Sequence, residues 1–210
     1  MGHSDFIQSS ILFYMLHDRQ AGIEDTFVAT MNRHLKDEKT KQRLLKEYDV
    51  GNNSGKSQDV VMDNVLHFAH DIGFYAPLVS IASGFPGKSY VFHFNEPNPW
   101  KGRYQGVASH ILDAAFLYQN YNKFLDEAQR SSAEAFGKHF IKYVAGGVPF
   151  PEYSAENGGA MVYGADGERQ KFVTGKNGED LKRRSSIFKL AETSSLEELS
   201  TLWGSFMSGQ

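Results

Sequence analysis

The chain of 210 residues contains no cysteine, which excludes a disulfide framework, a thiolate nucleophile and any zinc site built on sulfur. A reducing interior, the cytoplasm, is the expected location. Neither sign of charge is in excess: 22 Lys and Arg stand against 25 Asp and Glu, a net of −3, so no global field favours phosphate backbones or anionic membrane surfaces. Nucleic acid is therefore not an expected partner. The apolar run Ile11-Leu12-Phe13-Tyr14-Met15-Leu16 stops at His17-Asp18-Arg19, too soon for a signal peptide or a membrane span, so neither is expected. Phe6 stands where a myristoylated Gly2 needs Ser or Thr. Asn52-Asn53-Ser54 is a formal glycosylation sequon and is expected to go unused without a secretion signal.

What the chain does have is apolar and aromatic material, 40% hydrophobic with 16 Phe and 10 Tyr, enough to bury a sizeable core. A single domain over 1–210 is expected. Apolar residues at helical spacing, Ile11, Leu12 and Met15 and then Phe27, Val28, Met31 and Leu35, predict two short helices broken at Gly22. A charged helix follows over Lys39 to Tyr48, with Leu44 and Leu45 inside. Ser57 or Asp59 can cap a helix from Val60 through Phe74, running as far as Pro77 permits. Ser89-Tyr90-Val91-Phe92-His93-Phe94 reads as a strand, with His93 pointing away from the face of its aromatic neighbours. Ile111 to Phe116 predicts a short apolar helix and Asn122 to Val144 a long amphipathic one, ended by Gly146-Gly147. Met161-Val162-Tyr163 and Lys171-Phe172-Val173-Thr174, around Gly164-Ala165-Asp166-Gly167, form a hairpin pattern.

Three segments in order carry a family resemblance: His70-Asp71-Ile72-Gly73-Phe74 before Pro77, Tyr90-Val91-Phe92-His93-Phe94-Asn95-Glu96-Pro97, and Gly106-Val107-Ala108-Ser109-His110-Ile111-Leu112-Asp113. Together they resemble the C-terminal portion of type-B carboxylesterases and cholinesterase-like lipases, α/β-hydrolases of fungal type. Phe140-Ile141, Gly147-Val148-Pro149 and Pro151-Glu152-Tyr153 are similar to the family's final helix and exit, with Phe150 where tryptophan is usual. The resemblance implies a mostly helical α/β fold: a truncated C-terminal half of an α/β-hydrolase with one core strand at about 89–94 and a C-terminal hairpin. It implies that His110 matches the catalytic histidine and Asp113 the acidic residue after it.

A histidine suits that position because imidazole titrates near neutrality and can pass a proton from nucleophile to leaving group. The nucleophile itself is missing, since no serine has glycine on both sides in the Gly-x-Ser-x-Gly pattern. The family's catalytic acid aligns with Gly2 to Ser9, either near Gln8 or at Asp5. His110 is then either placed for chemistry or a relic that packs locally. Several other patterns have plain readings. Gly51 to Ser57 is a solvated loop rather than a phosphate loop, which needs glycine at Val50 and a preceding strand. His67, His70 and Asp71 share a helix face, but Asp71 matches a structural aspartate of the family, so no metal or other cofactor is expected. Lys182-Arg183-Arg184 is an exposed charged turn.

A scaffold of this family without its nucleophile points to a repurposed, non-hydrolytic protein. Such a protein would hold a small hydrophobic, natural-product-like molecule and promote its cyclisation, pericyclic steps included, or its isomerisation, with His110 or Asp113 assisting. Two alternatives stand beside it: a hydrolase subunit completed by a separate chain, and a catalytically inactive binding module. An uncovered sheet edge and apolar face predict a homodimer.

Overall fold

Residues 2–4, 9–51, 55–165, 168–175 and 185–210 are described by the computed structural model. Their helices are α1 (Ser9–Leu16), α2 (Ile23–His34), α3 (Glu38–Glu47), α4 (Gln58–His70), α5 (Ala76–Gly84), α6 (Leu112–Leu117), α7 (Glu127–Val144), α8 (Ser185–Leu190) and α9 (Leu196–Ser208). The strands are β1 (Gly2–Ser4), β2 (Phe92–Phe94), β3 (Ala160–Ala165) and β4 (Glu168–Val173). The chain divides into two compact units, one of Met1–Ser10 with Leu78–Asp180 and one of Ile11–Pro77 with Leu181–Gln210. Asp5, Gln8, the sequon and Lys182-Arg183-Arg184 lie outside the described residues.

The second unit is helical. Ile23, Phe27, Thr30 and Met31 form the buried stripe of α2, the spacing of an amphipathic helix. Phe27 meets Phe68 and Phe206 edge to face, with ring centroids 5.4 and 5.3 Å apart. Asp37 caps α3 by accepting from the Thr40 amide, Ser57 caps α4, and Ser195 with Glu198 forms a capping box on α9. Buried Asp71 accepts a hydrogen bond of 2.9 Å from the Tyr48 hydroxyl, a structural role for this carboxylate.

Proline does not stop the helix where its ring predicts. Pro77 in an α-helix would collide with the carbonyl of Gly73 and remove one hydrogen bond. Residues Asp71–Tyr75 instead widen into a π-helical turn, the Ala76 amide reaching the Asp71 carbonyl, and α5 carries on through Pro77. The resulting 27-residue stretch Gln58–Gly84 is long and apolar enough, by length and composition, to cross a bilayer, and 61% of its most apolar window is buried inside the protein. A buried core helix meets the same description.

The first unit holds the sheet, in the order β1-β2-β3-β4, with β1 and β3 parallel to β2 and β4 antiparallel to β3. The expected hairpin is present as β3 and β4. It is not a separate ornament, because β3 lies in register beside β2, with Phe92 opposite Met161 and Phe94 opposite Tyr163. The ladder of β2 covers only Phe92–Phe94, although the extended chain before it still pairs: the Ser89 carbonyl accepts from Tyr153 and that of Val91 from Met161. Phe94, Met161 and Tyr163 face a core shared with Leu112, Phe116, Leu125, Ala133 and Phe136 of the α6–α7 region. His93, opposite Val162, is buried on the other face, as alternation requires. Helix α7 starts five residues later than its apolar pattern, at Glu127 rather than Asn122, because Asp126 accepts from the Gln129 amide at 2.8 Å and fixes the first turn there.

Candidate functional site

The loop leaving β2 is shaped by Asn98. Its amide donates to the Val107 carbonyl at 3.0 Å, its carbonyl accepts from Gly106 at 2.8 Å, and its side chain donates to Ser109 Oγ at 3.1 Å. This fold-back delivers His110 to the start of α6, where Ile111 takes a left-handed φ of 66°. Nδ1 of His110 is buried and accepts or donates no hydrogen bond among the described residues. Asp113, half-buried in the first turn of α6, thus does not orient the ring through that nitrogen. A general base of this kind depends on a partner at Nδ1 to set tautomer and direction, and no described residue supplies one. The two residues are placed close in sequence at the expected loop and helix without forming a dyad.

A cavity of about 330 Å³ lies elsewhere in the same unit, and neither His110 nor Asp113 lines it. Helix α7 supplies one wall: Phe136, His139, Phe140 and Tyr143 recur at the three- and four-residue spacing that puts them on one helix face. Phe92 and Tyr163 of the sheet contribute another, and Tyr90 and Phe150 complete an aromatic cage, their rings edge-on at 5.8 Å. Phe136 and Tyr163 pack with centroids 4.7 Å apart and their planes tilted by 45°. Lys88 also borders the cavity, but its ammonium is paired with Glu152 at 2.8 Å.

One polar contact sits among these rings, His139 Nδ1 to the Tyr163 hydroxyl at 2.7 Å. Burial pushes the Tyr163 phenol well above its ordinary 10.0. Burial, and secondarily the charge of Lys142, holds the His139 imidazole below 6.5. At neutral pH both groups are uncharged. The arrangement can therefore accommodate an apolar, aromatic or polyunsaturated molecule and offer it the neutral His139–Tyr163 pair beside the hydroxyls of Ser89, Tyr90 and Tyr143. A histidine between Phe136 and Phe140 in the apolar stripe of this helix is the sequence signal for the pair.

Beside the sheet, Glu96 is 5% exposed and its carboxyl is raised above 4.5, first by burial, with the Asp126 carboxylate adding and the Ser132 hydrogen bond opposing. A raised folded-state value means that its stabilising contribution is complete below 4.5 and lost as pH rises through the raised value. Glu96→Gln is expected to melt at higher temperature than the parent at neutral pH, with the difference closing as pH falls to 4.5. Equal melting curves for the two proteins across that range would contradict the assignment. Among the described residues no three His, Asp or Glu side chains gather to hold a metal, and His67, His70 and Asp71 form no such set.

No family model matches the chain, and no curated protein matches it in sequence. Solved structures do: the chain is similar to a PNB esterase with a TM-score of 0.55 and 16% identity over 77% of this chain and 32% of that one. Another structure of PNB esterase gives the same TM-score and identity over 33% of its chain. The chain thus spans about a third of the length of these esterases. At this identity the shared property is the fold, an α/β-hydrolase-like architecture in part.

Proposed function

We propose that this chain is a hydrolase-derived protein that does not hydrolyse esters, and that it binds a small hydrophobic molecule and promotes its cyclisation or isomerisation. The observation that carries the reading is the aromatic cavity of about 330 Å³ with one neutral polar pair inside. Its size falls at the lower end of small-molecule sites, about 300–1,000 Å³. Rings on several sides can fold a flexible polyunsaturated chain against itself, and holding reacting atoms in contact supplies much of the barrier lowering that a unimolecular closure needs. No nucleophile is required for such a step. His110, with Nδ1 unpartnered among the described residues, supports the non-hydrolytic half of the proposal.

The test is a series of short to medium acyl p-nitrophenyl esters, run with His110→Ala as control, alongside calorimetric titration of ethylnaphthalene. The expected outcome is no ester turnover above background and saturable binding of one naphthalene per chain. Turnover abolished by His110→Ala would restore the esterase reading, and turnover only after adding a second polypeptide would favour a hydrolase subunit.

A further inference from the structure

The polar pair inside the cavity has a direction. Tyr163 is fully buried, and its hydroxyl has one hydrogen-bond partner among the described residues, Nδ1 of His139. Two proton arrangements are chemically available: the phenol O–H donates to Nδ1, or Nδ1–H donates to the phenol oxygen. The second leaves a buried O–H without an acceptor, a penalty of about 1–3 kcal/mol, whereas the first satisfies both groups. The phenol therefore donates, Nδ1 is the acceptor, and the ring proton resides on Nε2. With Nδ1 engaged, Nε2–H is the edge that His139 offers to a ligand. The phenyl rings of Phe92, Phe136, Phe140 and Phe150 around it carry no acceptor, and the side-chain hydroxyls elsewhere on the lining are those of Ser89, Tyr90 and Tyr143.

On the reading of this cavity as a hydrophobic ligand site, we propose that its ligand is a neutral conjugated carbonyl compound whose oxygen accepts a hydrogen bond from His139 Nε2, with Tyr163 as the positioning residue that fixes the tautomer. A carbonyl supplies an acceptor for Nε2–H in a largely apolar pocket. Carboxylates fit less well, because the polar pair bears no charge and Lys88 at the border is already paired with Glu152. Polarising a conjugated carbonyl draws electron density from the adjoining double bonds, so the donor assists the ring closure or double-bond shift that the cavity's shape favours.

Acetylnaphthalene and ethylnaphthalene differ by a carbonyl oxygen at nearly constant shape, and naphthoate adds the charge. Each is titrated calorimetrically into the wild-type chain, His139→Phe and Tyr163→Phe. The ratio of ketone to hydrocarbon affinity is expected to fall about tenfold in His139→Phe, the effect of one net hydrogen bond. Tyr163→Phe is expected to lower it by less, about twofold, since the ring then loses the donor that holds Nδ1 as acceptor and part of its population can carry the proton there. Nitrogen-15 spectra of labelled histidine report the tautomer directly: Nε2 protonated in the wild type, and a shift toward Nδ1 protonation in Tyr163→Phe. An unchanged ratio in His139→Phe with both naphthalenes still bound overturns this inference and leaves the cavity reading standing, as does naphthoate binding tightest of the three. Failure of every probe to bind the wild-type chain removes the cavity reading itself.

Discussion

Gly164→Ala is expected to destabilise the sheet-bearing unit by about 3–5 kcal/mol. Gly164 lies in β3 with φ of +77°, the left-handed region, where alanine alone loses about 1–2 kcal/mol. Space is the larger obstacle. A Cβ at this position would lie 2.5 Å from the Glu96 amide nitrogen and 2.7 Å from both the Asn95 carbonyl carbon and the Glu96 Cα. All three are backbone atoms, so no rotamer change relieves the overlap, and the two chain segments must move apart. They are joined one residue earlier, where the Asn95 amide donates to the Tyr163 carbonyl at 2.7 Å, and separation would break this bond and admit water to buried Glu96. The summed effect is about 3–5 kcal/mol, a large share of the stability of an ordinary domain. Urea denaturation with Gly204→Ala as the comparison checks it. Gly204 sits inside α9 with nothing within 4 Å of its added Cβ, so that substitution gains up to about 1 kcal/mol from helix propensity. Equal midpoints for the two variants would refute the steric argument.

Local chemistry made much of the fold legible. Alternation of aromatic residues with His93 marked β2 and placed His93 on the opposite face, and apolar segments separated by glycine-rich turn residues marked β3 and β4. Ser57, as one of two named caps, begins α4, and Gly146 with its φ of 79° ends α7. What stayed hidden is non-local. The parallel pairing of β2 with β3 joins segments separated by α6 and α7, and nothing in either strand's own sequence names its partner. The passage through Pro77 was unreadable for a related reason: whether a proline stops a helix depends on whether the preceding turn can widen, as Asp71–Tyr75 does here.

The candidate site divides in the same way. His110 and Asp113 were reachable through resemblance, since order along the chain locates a loop after a strand and a helix after the loop. Resemblance does not report partners, and among the described residues Nδ1 of His110 has none. The pair His139 and Tyr163 comes from α7 and β3 and exists only once the helix packs on the sheet. Their chemistry arises from burial, which leaves both neutral and tied to one another.

Phe136 connects that chemistry to the stability of the unit. Its ring, 4% exposed, lies 4.9 Å from Phe92, 5.9 Å from Phe94 and 4.7 Å from Tyr163, and so packs both the core and the cavity wall. Phe136→Ala removes these contacts at once and leaves a void that rigid sheet residues cannot fill, an expected loss of about 3–5 kcal/mol. Phe136→Leu keeps most of the volume and is expected to lose about 1–2 kcal/mol. The two variants separate packing from ligand binding. In Phe136→Leu the unit stays folded while Tyr163 loses the ring packed against it, so ethylnaphthalene affinity should drop with only a small change in the urea midpoint. Should Phe136→Ala lose less than about 1 kcal/mol, the core around Phe94 and Tyr163 holds without this ring, and the cavity wall is softer than its close ring contacts indicate.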